Sequence, residues 1–240
     1  MSPTIMRLSA RAVFGQKRVI LVLLPPILLL VFSIFASIVS PFSEPLIEPA
    51  SVIFGMGIIL PLVALLLSMG VLGPEIEDGS IVYLLATPTS RYKIALSKYA
   101  VAAVASVVLG AVPVAMSVLI LDFESWGVAG ALFVGATLAS LAYCGLFLAL
   151  TSLVKFSTIA GLVYILILET LFASWLTGLA YLSVGKMGGA IAQSLSDDVP
   201  AVGATINTPY AWIGVFVVAA LGVLITGQRL SSFQLKGDVE

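Results

Sequence analysis

The apolar residues of this chain run in long unbroken stretches, without the alternation of a strand or the one-sided stripe of a soluble helix. Six stretches, near 19–39, 51–72, 99–121, 128–154, 157–181 and 209–228, reach the roughly 20 residues that a helix needs to cross a hydrocarbon layer. A backbone in lipid must satisfy its own N–H and C=O groups, so such stretches fold as helices. The expectation is an all-α, polytopic membrane protein of six transmembrane helices, in which residues 1–240 form a single domain. The fifth stretch is the least secure, because Gly178, Gly185, Gly188 and Gly189 loosen its far end and the chain beyond it. The first is too long for a signal-peptide core of roughly 7–15 residues and is expected to be a retained helix.

Composition agrees with the pattern. Hydrophobic residues make up 60% and charged residues 10%, with a mean hydropathy of +1.19, where soluble domains carry about 25% charge. The placement of the charge says more than its net value of -1. Arg7, Arg11, Lys17, Arg18, Arg91, Lys93, Lys98, Lys155, Arg229 and Lys236 fall on one side of a six-span arrangement, and Lys186 on the other. The positive-inside bias makes the first side cytoplasmic, both termini included. The outer side then holds Glu44, Glu48, Asp122, Glu124, Asp197 and Asp198. Its longest connection, 182–208, is poor in charge and has the apolar residues for a short helix lying at the interface. The remaining cytoplasmic parts are the segment 1–18, the loop 73–93 and the tail 229–240.

Several chemistries are excluded. Without histidine there is no His-based triad and no zinc site of the HExxH kind. The lone Cys144 sits in an apolar run and is read as a small buried hydrophobe. No metal-ligand cluster appears, and no nucleic-acid face. Gly185-Lys186 lacks the earlier glycine of a P-loop, Ala180 standing in its place, so the chain has no nucleotide-binding motif of that kind. The chain itself is not expected to be an enzyme.

Three features carry candidate function. In 4–18, Arg7, Arg11 and Arg18 share one helical face opposite Ile5, Leu8 and Ala12. This describes an N-terminal amphipathic helix on the inner leaflet, a set of orientation charges, or a docking surface. In the loop 73–98, Pro74 suits the first turn of a short helix, and Glu75, Glu77 and Asp78 suit its positive end. Ile81, Val82, Tyr83, Leu84 and Leu85 are costly to leave in water and call for a bilayer surface or a protein groove. Pro88 stops that element, and a residue near Ser90 starts the next helix. Glu169 is the third feature, a carboxyl deep in the fifth apolar stretch, where insertion costs about 2.5–3.5 kcal/mol. It is either a cargo-path or proton-sensitive group, or a carboxyl that joins helices through Tyr164, Thr170 or Ser174. Small residues at fourfold spacing, Ala102/Ser106/Gly110 and Ala131/Gly135/Ala139, point to close helix packing within the chain.

The run Glu75, Glu77, Gly79, Ser80, Ile81, Leu84, Leu85, Thr87, Pro88, Ser90, Arg91, Ile94, Lys98 resembles the signature cytoplasmic loop of the type-2 ATP-binding cassette (ABC) exporter permeases. Six spans, a basic N-terminal segment, a long outer connection before the last span and its Asn207-Thr208-Pro209-Tyr210 entry are similar to that family as well. The resemblance implies that the loop is a coupling helix seated in a groove of a separate ABC ATPase, present in two copies. Ile81 to Leu85 would form the buried knob, and Glu75, Glu77 and Arg91 the polar rim, with Gly79 and Pro88 in the same ATPase-coupling set. It further implies a second permease chain, in a homodimer or related heterodimer, with ATP and Mg held by the partner ATPase and no cofactor in this chain. The setting is the plasma (inner) membrane of a bacterium or archaeon, with 182–208 as part of an external gate. Few charges face the membrane interior, so the exported cargo is expected to be hydrophobic or amphipathic. Two rival readings are a secondary transporter or channel driven by an ion gradient through Glu169, and a membrane anchor that moves nothing.

Overall fold

The computed structural model describes residue 15 and residues 18–39, 48–78, 90–172, 180–200 and 206–232. Within them the structure is helical, with no strand. Helix α1 is Arg18–Val39, α2 is Leu60–Glu77, α3 is Arg91–Ser106 and α4 is Val112–Leu121. Helix α5 is Trp126–Leu153, α6 is Ser157–Val163, α7 is Val184–Leu195 and α8 is Thr208–Ser232. Three wider, π-wound segments extend these helices: Glu48–Ile59 leads into α2, Val107–Ala111 joins α3 to α4, and Tyr164–Phe172 continues α6. The middle one has a local cause. Pro113 has no N–H to give the carbonyl of Leu109, so the ordinary ladder cannot pass that point.

Among the described residues five helical runs are long and apolar enough to cross a membrane: Val19–Val39, Ala50–Ile76, Arg91–Leu121, Trp126–Leu153 and Thr208–Ser232. The shorter apolar helix Ser157–Glu169 falls below that length. The sequence-predicted fifth span runs on into 173–179, outside the described residues.

Helix α5 is the central post. At 1.5 Å per residue it is about 42 Å long, and it buries Leu132, Ala139, Tyr143, Cys144, Phe147 and Leu148. Around it stand α2, α3 with α4, α7 and α8. Glycine lets two of these come to backbone contact. A methyl on Gly222 of α8 would overlap the main chain of Gly145 in α5, and one on Gly135 of α5 would overlap the Gly188 carbonyl of α7. Gly110 faces Leu60 and Val63 of α2, where a Cβ would stand 2.7 Å from Leu60 Cδ1. The fourfold ladders on the third and fourth spans therefore pack within the chain, as their spacing indicates.

One end of the bundle is basic, with Arg91, Lys93, Lys155 and Arg229, and the other holds Asp122, Glu124, Asp197 and Asp198. At the acidic end the α4–α5 turn is closed by Asp122. Its Oδ1 accepts the Glu124 N–H at 3.0 Å, and its Oδ2 accepts the Ser125 hydroxyl. At the basic end a satellite apolar cluster of Leu72, Ile94, Ala95, Leu148 and Leu230 joins α2, α3, α5 and α8.

Candidate functional site

The basic end carries the two legs of the 73–98 loop. The first leg differs from its sequence-based expectation. Pro74 lies inside α2, and Gly73–Glu77 is the last turn of that helix, not the first turn of a new one. The acidic cluster thus stands at the negative end of the helix dipole, an unfavourable place for carboxylates. Lys98 of α3 offsets this. Its side chain has no exposure to solvent, and its Nζ donates to Glu75 Oε1 at 2.6 Å and to the Val71 carbonyl at 2.7 Å. One ammonium thus neutralises the carboxylate and caps a carbonyl in the turn where Pro74 withholds its own N–H.

The second leg starts where the sequence places it. Ser90 is the N-cap of α3, with extended backbone and a side-chain oxygen that accepts the Lys93 N–H. Arg91 is half-buried, and one of its guanidinium nitrogens, Nη1, is buried without a hydrogen-bond partner, as is Glu75 Oε2. Tyr92 reaches across to α8, where its ring covers Gly227 so closely that a Cβ there would stand 2.5 Å from Tyr92 Cδ1.

Of the residues expected at the ATPase contact, Glu75 and Arg91 are therefore at the base of the loop, and Glu75 is engaged by Lys98. Gly79, Ile81, Leu84, Leu85 and Pro88 lie outside the described residues, as do Arg7, Arg11 and the side chains of Glu77 and Arg18. Sequence reasoning gave Lys98 no partner. The available signal was its position, closing a charge-bearing pattern that Glu75 opens.

The second candidate is Glu169, in the π-wound continuation of α6. Its carboxyl is buried and filled with donors. Oε1 accepts the Tyr143 hydroxyl at 2.5 Å and the Gly185 N–H at 3.2 Å, and Oε2 accepts the Ser183 hydroxyl. Ser183 is also the N-cap of α7, accepting the Lys186 N–H at 3.1 Å. The carboxyl thus sits at the positive end of the α7 dipole. Of the partners expected from neighbouring sequence, Tyr164 also faces the carboxyl. Tyr164 donates to the Leu182 carbonyl at 3.4 Å, while Ser174 and the Thr170 side chain lie outside the described residues. Tyr143 stacks flat on Phe147, which meets Tyr164 edge-on, so an aromatic wall closes one side of the carboxyl.

Helix α7 is the further departure from expectation. It is enclosed by the bundle. Eight of its residues are buried, from Val184 to Ala192, and it packs on α5 and α8. It begins beside Tyr143, about 25 Å along α5 from Trp126, and ends with Ser196 beside Gly127 at the acidic end. Its N-terminus is therefore deep within the bundle. Gly188 allows this, since a Cβ there would stand 2.9 Å from both Ala139 Cβ and the Gly135 carbonyl.

Residues 16–231 match the family model described as an ABC-2 family transporter protein. No curated protein matches the chain.

Proposed function

Because this chain belongs to the ABC-2 family of transporter proteins, we propose that it is the permease subunit of an exporter whose ATP is hydrolysed, with Mg, on a separate ABC ATPase subunit. The coarser statement, a multi-pass membrane permease of an ABC transporter, rests on the family match and the five long apolar helices. The finer reading has two ATPase copies and two permease chains, a homodimer or a related pair, in the plasma membrane of a bacterium or archaeon. The basic end faces the cytoplasm, as the distribution of Lys and Arg supports. The fifth of six crossings is completed by Ser157–Phe172 below and α7 above.

The observation that carries this reading is the construction of the loop base. The two helices that flank the apolar-rich connection 79–89, α2 and α3, are tied by an ion pair between a solvent-inaccessible Lys98 and a half-buried Glu75. Such a mounting suits a segment that receives force. The loop seats Ile81 to Leu85 in the ATPase groove, with Glu75, Glu77 and Arg91 at the rim, and closure of the motor rocks the helices to open the path outward. The cargo is hydrophobic or amphipathic, and the segment 182–208 contributes to the external gate.

Glu169 supports the rival, gradient-driven reading less well. Its oxygens are occupied by three donors that tie two chain segments together, which favours a structural role. The deciding experiment is co-purification of the permease with a co-expressed P-loop ATPase encoded beside it, comparing wild type with Leu84→Asp/Leu85→Asp. Retention by wild type and loss from the folded double variant supports the coupling loop. No association even with wild type removes the ABC reading in favour of a carrier that uses Glu169.

A further inference from the structure

Lys98 stands out in the basic half of the molecule. A lysine without solvent exposure is costly, and its long stem has ample freedom to reach water at a helix end. Here the stem turns inward and the ammonium is divided between two acceptors on α2, Glu75 Oε1 and the Val71 carbonyl. An orientation charge needs neither contact. Beside it the contacts continue to the last helix. Tyr92 covers Gly227, and Ile94 and Ala95 share the satellite cluster with Leu72 of α2, Leu148 of α5 and Leu230 of α8.

We propose that Lys98 is a positioning residue for energy coupling: by locking the end of α2 to the first turns of α3, it makes the two legs of the 79–89 loop one body, and Tyr92 on Gly227 passes that body's displacement to α8. The inference rests on the reading of the loop as the ATPase contact. Without the lock, a push on the loop spreads the legs apart and is spent there. With it, α2, α3 and the basic end of α8 turn together.

The test uses spin-label distances in the full chain reconstituted with its ATPase, on a Cys144→Ala background. One label pair replaces Asp78 and Lys93 across the legs, and another replaces Asp78 and Gln228. All three side chains are exposed. The key variant is Glu75→Gln/Lys98→Met, which deletes both charges together and so leaves no lone buried ion. The expected result, read on complexes that retain the ATPase, is an Asp78–Lys93 distribution broadened about twofold and loss of most of the ADP-vanadate-induced shift between Asp78 and Gln228. A distribution as narrow as wild type overturns the proposal. If that variant does not fold, Tyr92→Ala carries the test. It should keep the legs narrow and lose the shift at Gln228, and a wild-type shift there overturns the proposal. If no ATPase joins even the wild type, the coupling reading fails by itself. The width across the legs in the permease alone then decides whether the lock exists.

Discussion

Lys98 and Glu75 are 23 residues apart in the chain and 2.6 Å apart in space. The carboxylate stands at the wrong end of a helix for its charge, and the lysine is buried away from water. Each makes the position of the other tenable. Removing one alone is therefore expected to be worse than removing both. Lys98→Met leaves a half-buried carboxylate at a negative helix end, at a cost of about 3 kcal/mol. Glu75→Gln/Lys98→Met recovers most of it. Thermal unfolding in detergent micelles measures this, and a double variant less stable than Lys98→Met contradicts it.

Glu169 gives a prediction about satisfaction of donors. Glu169→Leu strands the Tyr143 and Ser183 hydroxyls and the Gly185 N–H. At about 1–3 kcal/mol for each buried group left unpaired, the loss should be the largest of any single change in this region. Glu169→Gln retains a carbonyl acceptor and should lose much less. Comparing the unfolding midpoints of the two variants tests the arrangement. If the variant with Gln is otherwise normal and exports at every pH, the proton-sensitive role for Glu169 is excluded.

Helix α7 touches α5 through glycine. Gly135→Leu must push the Gly188 main chain aside, and overpacking of this kind costs about 1–3 kcal/mol. At Gly130, five residues earlier on the same helix, an added Cβ would meet nothing within 4 Å, so Gly130→Leu is expected to be neutral. Equal melting temperatures for the two variants would show that α7 does not lie against α5.

Asp122 provides a pH signature. The Ser125 hydroxyl and the Glu124 N–H both favour its ionised form and hold its carboxyl below the ordinary 3.8. A depressed pKa contributes stability above the unfolded value, and the contribution fades as pH falls through the folded one. Asp122→Asn should melt lower than wild type at neutral pH, and the difference should close as the pH drops below 3.8. A difference that persists in acid points to a cause other than the charge.

The positions of the long spans were legible because the run of apolar residues is a local property. So was the start of α3 at Ser90, where a capping side chain and a preceding proline act within a few residues. The end of α2 was not. Proline followed by acidic residues is the ordinary local signature of a helix start, and the residue that reverses its meaning, Lys98, is far along the chain. The glycines of α7 were ambiguous for a related reason. Gly185, Gly188 and Gly189 read as loosening elements when judged by propensity in water. In a bundle they allow main chains to approach, and only the facing Gly135 and Ala139 show which meaning holds. Tyr164 apart, the partners of Glu169 came from α5 and from the start of α7, and no window of neighbouring sequence contains them.

The deep start of α7 has a mechanical consequence. Ser157–Phe172 and Val184–Leu195 are separate pieces of helix that meet at one carboxyl. A continuous helix resists bending through every rung of its ladder, whereas among the described residues these two pieces meet at the carboxyl through the Ser183 hydroxyl and the Gly185 N–H, with the Tyr143 hydroxyl of α5 beside them. The lower piece is seated on α2 and α5, and the upper one on α5 and α8. The two pieces are thus joined side chain to helix end, and each donor that Glu169 loses weakens that joint.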